Sequence, residues 1–198
     1  MSELITIDTG IPEQTATKIK NKYEPYKLVG EDNSVLYGGT TEFKFNGEVD
    51  ATELAGRLTE TLKLHRGFGL SATQCGLPHR VFIMGAEDDY ISVFNPTIIS
   101  SSTETLHMEE GCLSFPFLTL AIGRAKEITV QYQNELGESI ERTFSGISAR
   151  IFLHEFDHLN GITFNKAVKP LALKMGLKRR EKQMKQFSRE LARHSKTV

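Results

Sequence analysis

The chain has 198 residues, 39% of them hydrophobic and 25% charged, the length and balance of one soluble globular domain with a sizeable core. No apolar run approaches the roughly 18 residues of a membrane span, the start MSELITIDTGIPEQ lacks the basic-then-apolar order of a signal peptide, and Cys75 and Cys112 alone make no disulfide framework, so a cytoplasmic compartment is expected. The net charge of −1 hides an asymmetry: residues 166–198 carry eleven Lys and Arg against two acids, a net +9, while the rest carries 13 against 23, a net −10. An acidic body with a basic tail invites an anionic partner.

Residues 1–48 are punctuated by Pro12, Pro25, Gly38-Gly39 and Asn46-Gly47, which predicts a short helix near 13–22 and then irregular chain. Asp50 followed by Glu53 is a capping-box pattern, and Leu54, Leu58, Leu62 and His65 recur at helical spacing. A helix over 51–66 follows, with Gly67 as its stop. Val81–Met84 and Ile91–Phe94 read as strands with Asp88-Asp89 as the turn between them, and Thr97–Ser101 as another strand after Pro96. Residues 127–132 and 139–144 alternate across Asn134–Gly137 and predict a hairpin.

Ser145 is placed to cap a helix running to Asn160, with Gly161 as its stop. Ile147, Ile151, His154 and His158 form one stripe on it, and apolar residues cover much of its circumference, so it should be central and buried. Pro170 suits the first turn of a last helix, with Leu173, Leu177, Met184, Phe187 and Leu191 as its apolar stripe. Strands followed by segregated helices suggest one α+β domain over 1–198, with residues 1–48 an atypical extension and 168–198 a basic helix.

The segment His154-Glu155-Phe156-Asp157-His158 carries the chemistry. Residues i and i+4 of a helix lie one above the other, so two imidazoles can share a metal ion while Glu155 reaches a water on it. That is the pattern of metal-assisted hydrolysis of a carbonyl compound. A catalytic site needs a third protein ligand. A histidine six residues after His158 would mark one protease clan, but position 164 is Phe. Glu181 and Glu190 lie in the basic tail, a poor place for a buried ligand. His65, His79, His107, His194, Cys75 and Cys112 remain. Cys112 suits best: Gly111 beside it permits close backbone approach, and a thiolate binds Zn²⁺ or Fe²⁺ strongly. By itself such a cysteine is more often a small buried hydrophobe, and a Cys75–Cys112 disulfide would remove it as a ligand. Gly67–Gln74 adds two glycines that let backbone approach a ligand and, in Gln74, a neutral donor for an oxyanion.

Three ordered motifs, GFGLSATQ at 67–74, EGCLS at 110–114 and HEFDH at 154–158, resemble the peptide deformylase family over roughly residues 50–165. The resemblance implies removal of the formyl group from N-formylmethionine on nascent polypeptides. It implies Cys112, His154 and His158 as metal ligands, Glu155 as general acid and base, Gln74 and the Leu113 N–H as oxyanion donors, and Gly69 against the substrate backbone. It favours Fe²⁺, with Zn²⁺, Ni²⁺ or Co²⁺ as substitutes. Arg124 is expected to pair with Glu110 or Asp157 and orient the ligands. Phe68, Met108, Ile147 and Ile151 are expected to line the methionine slot. Ser71, Cys75 and Phe117-Leu118-Thr119 depart from the family's pattern, the last where substrate beyond its first residue would lie. A zinc endopeptidase is the competing enzyme. A bacterial cytoplasm, or that of an infected host, is expected, with an organelle left open; the basic tail is a candidate contact for ribosomal RNA. Neither DNA nor membrane is an expected partner.

Overall fold

The structure is a computed structural model and describes residues 23–87 and 89–194; the expected helix near 13–22 lies outside them, as does Asp88. Five strands, β1 (Gly69–Ser71), β2 (Val81–Ala86), β3 (Asp89–Ser101), β6 (Glu127–Gln133) and β7 (Ser139–Ser145), form an antiparallel sheet in the order β1-β2-β3-β6-β7. Two more, β4 (Thr105–Cys112) and β5 (Phe115–Ala125), pair as a separate antiparallel ribbon. The helices are α1 (Ala51–His65), α2 (Gly146–Leu159) and α3 (Pro170–His194). This is an α+β fold with antiparallel sheets and a C-terminal helix.

Alternation on β2 sorts the core. Phe82 and Met84 pack with Val93, Ile128, Val130, Phe144 and with Ala149, Phe152 and Leu159 of α2. Val81 and Ile83 point the other way, onto Leu54, Leu58 and Leu62 of α1. The sheet is therefore covered by α1 on one face and α2 on the other, as a period of two requires. A third cluster, Phe115, Leu118, Leu120, Ile122 and Phe164, joins β5 to Leu173 of α3.

Several boundaries differ from expectation for identifiable reasons. Asp50 caps α1 by accepting from the Glu53 N–H at 2.7 Å. The left-handed residue after α1 is Arg66 (φ 53°), not Gly67. Gly67 is needed for space instead: a Cβ there would lie 2.7 Å from a Leu62 methyl and 3.1 Å from one of Leu113. Thr97–Ser101 is no separate strand but the end of β3, kinked where Asn95 (φ 49°) shifts the register and clamps Phe43 through its N–H and C=O at 2.7 and 2.9 Å. Asp89 belongs to β3, and the positive φ of the preceding turn is at Glu87. Ser145 makes no side-chain cap. Pro116 lies inside β5, tolerated because a two-stranded ribbon has a free edge on each strand. In α3 one face meets the body, through Leu173, Arg179 and Arg180 and the ring of Phe187 on that of Phe117, while Leu177, Met184 and Leu191 stay exposed and Phe187 is only partly covered.

Residues 23–50 are irregular apart from a short 3₁₀ turn at Ser34–Tyr37. They are nonetheless fixed: the Val29 N–H donates to the Gln74 carbonyl at 2.9 Å, and Tyr26 N–H to Thr61 Oγ1 at 2.8 Å.

Candidate active site

The three motifs converge. Cys112 ends β4, His154 and His158 stand one turn apart on α2, and one donor atom from each lies within 4.8 Å of the others. Cys112 Sγ is 3.3 Å from His158 Nε2. Both cysteines are free, so no disulfide competes for that sulfur. The other candidates for a third ligand that lie among the described side chains, His65, His79, His107, Cys75, Glu181 and Glu190, do not join this group.

Gln74 is aimed by its own turn. Its Oε1 accepts the Ser71 N–H at 2.9 Å, which turns Nε2 toward Cys112 Sγ at 3.4 Å. Gly69 stands against Glu155: a Cβ at 69 would come within 2.8 Å of Glu155 Cγ and 2.9 Å of its carboxyl carbon. Glu155 is 3% exposed, and its Oε2 is buried with no hydrogen-bond partner. Burial pushes that carboxyl up to about 7, against the opposing pull of His154, Arg124 and the Ser71 backbone. A buried carboxyl near neutrality can take and return a proton.

Behind the histidines lies a charged cluster. Glu110 faces inward from β4. Arg124 on β5 grips it with Nε at 2.6 Å and Nη2 at 3.0 Å and reaches Asp157 with Nη1 at 2.8 Å. Glu110 Oε2 lies 3.0 Å from His154 Nδ1, which leaves the ring's other nitrogen to the donor group that could hold a metal. Burial would raise the Glu110 carboxyl, but hydrogen bonds from His154 and Arg124 hold it down at about 2. Arg124 thus pairs with Glu110 and Asp157 together, where the sequence offered them as alternatives. Arg150 was not singled out by its sequence position. It is buried one turn before His154, with Nη1 on Glu110 at 2.5 Å and on the Ile122 carbonyl at 3.0 Å, and Nη2 on the Leu106 carbonyl at 2.5 Å. Its sequence signal is a lone cation on a helix apolar around most of its girth, which demands a buried partner.

These groups open on a cavity of about 680 Å³, the size of a small-ligand site. Phe68, Met108, Ile147 and Ile151 all line it, together with Leu113 and Pro116–Thr119. The donor set fits a divalent metal: one sulfur, two imidazoles and an unpartnered carboxylate oxygen of Glu155, with no fourth protein ligand in the group among the described residues.

The comparisons agree. The polypeptide deformylase family model matches residues 25–174. The peptide deformylase of Thermotoga neapolitana is 45% identical over 114 residues, 58% of this chain and 70% of that protein. That of Synechocystis is 35% identical over 133 residues, 64% of this chain and 71% of that protein. The crystal structure of the Thermotoga maritima peptide deformylase superposes with a TM-score of 0.71 at 36% identity, over 75% of this chain and all of that one. The Acinetobacter baumannii enzyme, solved with Met-Ala-Ser bound, superposes at 0.69 and 29% identity, covering 73% and 98% of the two chains. An endopeptidase is not favoured by these matches. Among the described residues no helix is long and apolar enough to cross a membrane. The chain belongs to the polypeptide deformylase family, metal-dependent hydrolases that remove the N-formyl group from nascent peptides.

Proposed function

We propose that this chain works as one deformylase domain in the cytoplasm, with α2 as its central helix, on peptides that begin with N-formylmethionine. Cys112, His154 and His158 hold one divalent ion. The observation that carries this assignment is the meeting of three donors within 4.8 Å beside the unpartnered Glu155 Oε2. Fe²⁺ is the native ion in this reading; thiolate and imidazole also suit Zn²⁺, Ni²⁺ and Co²⁺.

When bound, the metal supplies an acidified water and polarises the formyl oxygen. Glu155 takes a proton from the attacking water at Oε2 as the water oxygen bonds to the formyl carbon, and returns it to the leaving amine as the amide C–N bond breaks and formate departs. Gln74 Nε2 and the Leu113 N–H donate to the oxyanion; one such donor typically contributes on the order of 10²–10³ in rate. Gln74 is neutral, so it stabilises that charge without neutralising Glu155. The Gly69 backbone lies against the substrate backbone. Phe68, Met108, Ile147 and Ile151 form the slot for the methionine side chain. Glu110, Arg124 and Asp157 keep the ligands oriented. The Met-Ala-Ser held by the Acinetobacter baumannii enzyme supports a peptide with an N-terminal methionine in this cavity.

Glu155→Gln decides the reading. Formate release from formyl-Met peptides should fall at least 10²-fold, with one metal per chain still present by elemental analysis. Full activity with full metal would overturn it.

The cations of α3 support a second assignment, contact with ribosomal RNA near the nascent chain. Lys182→Glu with Arg189→Glu should weaken binding to ribosomes and flatten its salt dependence. Binding that keeps its salt slope would refute that assignment.

A further inference from the structure

The start of β5 is held under restraint. Phe117 sits at φ 65°, the left-handed region that a bulky residue enters only where its surroundings dictate it. Its ring is 41% exposed, so no core packing forces it there. Pro116, Phe117, Leu118 and Thr119 line the cavity, yet none belongs to the metal donors or to the methionine slot.

The restraint comes from α3. Arg180, its side chain 13% exposed, donates from Nε to the Pro116 carbonyl at 2.9 Å and from Nη1 to Glu31 Oε2 at 2.8 Å. Arg179 beside it donates to the Thr119 carbonyl at 3.2 Å. One turn earlier, Gly176 lets the helix settle on β5, where a Cβ would come within 2.5 Å of Leu120 Cδ2. Phe187 packs its ring on that of Phe117, centroids 5.4 Å apart. Positions 176, 180 and 187 are four and seven residues apart and share one helix face. One face of α3 thus grips Pro116, Phe117 and Thr119 of the cavity wall. Glu31 extends the grip to the N-terminal segment, which contributes Leu28 to the same cavity.

We propose that Arg180 is a positioning residue for peptide substrates: by fixing Pro116 and Phe117 it sets the wall along which residues after the formylmethionine lie. This rests on the deformylase reading and assigns that site's further contacts to the C-terminal helix. A formylmethionine without following residues does not reach this wall; a longer peptide leaves the cavity past it.

The test compares formylmethionine with formyl-Met-Ala-Ser on metal-loaded full-length protein. Arg180→Ala should raise KM for the tripeptide about tenfold with kcat within twofold, while kcat/KM for formylmethionine moves less than twofold. Calorimetry should show Met-Ala-Ser binding weakened by the same factor. Arg180→Lys, a single point charge that cannot hold both partners in a fixed fork, should fall between. Phe187→Ala keeps both Arg180 bonds and should give a smaller rise in tripeptide KM, which keeps the test decisive if Arg180→Ala folds poorly. Equal losses on both substrates, or a tripeptide KM within twofold of wild type in both variants, would overturn the proposal. Wild-type protein that releases formate from neither substrate would count against the deformylase reading instead; peptide calorimetry then tests the wall alone.

Discussion

Replacing Gly69 with alanine tests the catalytic geometry with a single methyl group. The backbone at 69 has no positive φ, so alanine brings no conformational strain there. What it brings is a Cβ 2.8 Å from Glu155 Cγ and 2.9 Å from its carboxyl carbon, where ordinary contact begins at 3.4 Å. The carboxyl must therefore retreat by at least about half an ångström, and its nearer oxygen by more. Misplacing a reacting group by about 1 Å can cost on the order of 10² in rate, or about 2.7 kcal/mol of barrier. G69A should accordingly lose about a hundredfold in kcat/KM for formyl-Met-Ala-Ser. Metal content by elemental analysis should stay at one per chain, since position 69 touches none of the three donors, and the melting temperature should shift by only a few degrees. A kcat/KM within threefold of wild type would refute the claim that Glu155 has no room to move. A parallel loss of metal would show that the residue acts on the ligands instead.

Other outcomes follow from the same geometry. Arg124→Met leaves Glu110 and Asp157 without their shared partner, while Arg150 and His154 still hold Glu110; the melting temperature should drop and metal affinity fall about 10–100-fold, while unchanged metal affinity would remove Arg124 from the orienting role. Ile147→Gln should lower kcat/KM for formyl-Met peptides, and an unchanged value would take Ile147 out of the methionine slot. Burial pushes the Cys75 thiol up to about 12, above the 9.0 of an exposed thiol; the unfolded chain therefore loses this proton first, and stability should decline above pH 9 by up to about 1.4 kcal/mol per pH unit. Cys75→Ala should flatten that alkaline limb in denaturant titrations, and an unaltered slope would refute it. In metal-stripped native protein at pH 8, a thiol reagent should titrate Cys112 alone, with Cys75 reacting only after unfolding; two thiols of equal rate would contradict this.

The elements legible in the sequence were those whose buried face is apolar. α1, the β6–β7 hairpin, α2 and the start of α3 each carry a period of two or 3.6 in leucine, isoleucine, valine or phenylalanine, and β2 is a short continuous apolar run buried on both faces. β4 escaped because its one buried position is a carboxylate, Glu110, so its inward face reads as polar; β5 does alternate, with Leu118, Leu120 and Ile122 buried, but escaped for want of a legible partner strand. β1 has three residues, too few for any period. His154, His158 and Glu155 stood out because metal chemistry restricts both residue type and spacing; Cys112 stood out only beside them. Arg150 did not, because a cation beside a metal helix looks like surface until the strand bearing Glu110 is set against it. The stripe on α3 was legible as a pattern, but its exposure was not: periodicity reports that a face is apolar and leaves open what covers it.

The place of β1 at the rim of the five-stranded sheet has one more consequence. It is paired with β2 on one side only, and Gly69 on it borders the cavity. An outermost strand offers unspent amide and carbonyl groups, and an extended peptide can join it as one more strand. Bonds of that kind are indifferent to side chains. An enzyme that acts on nascent peptides of many sequences gains from such indifference, since backbone bonds hold a chain without reading its side chains.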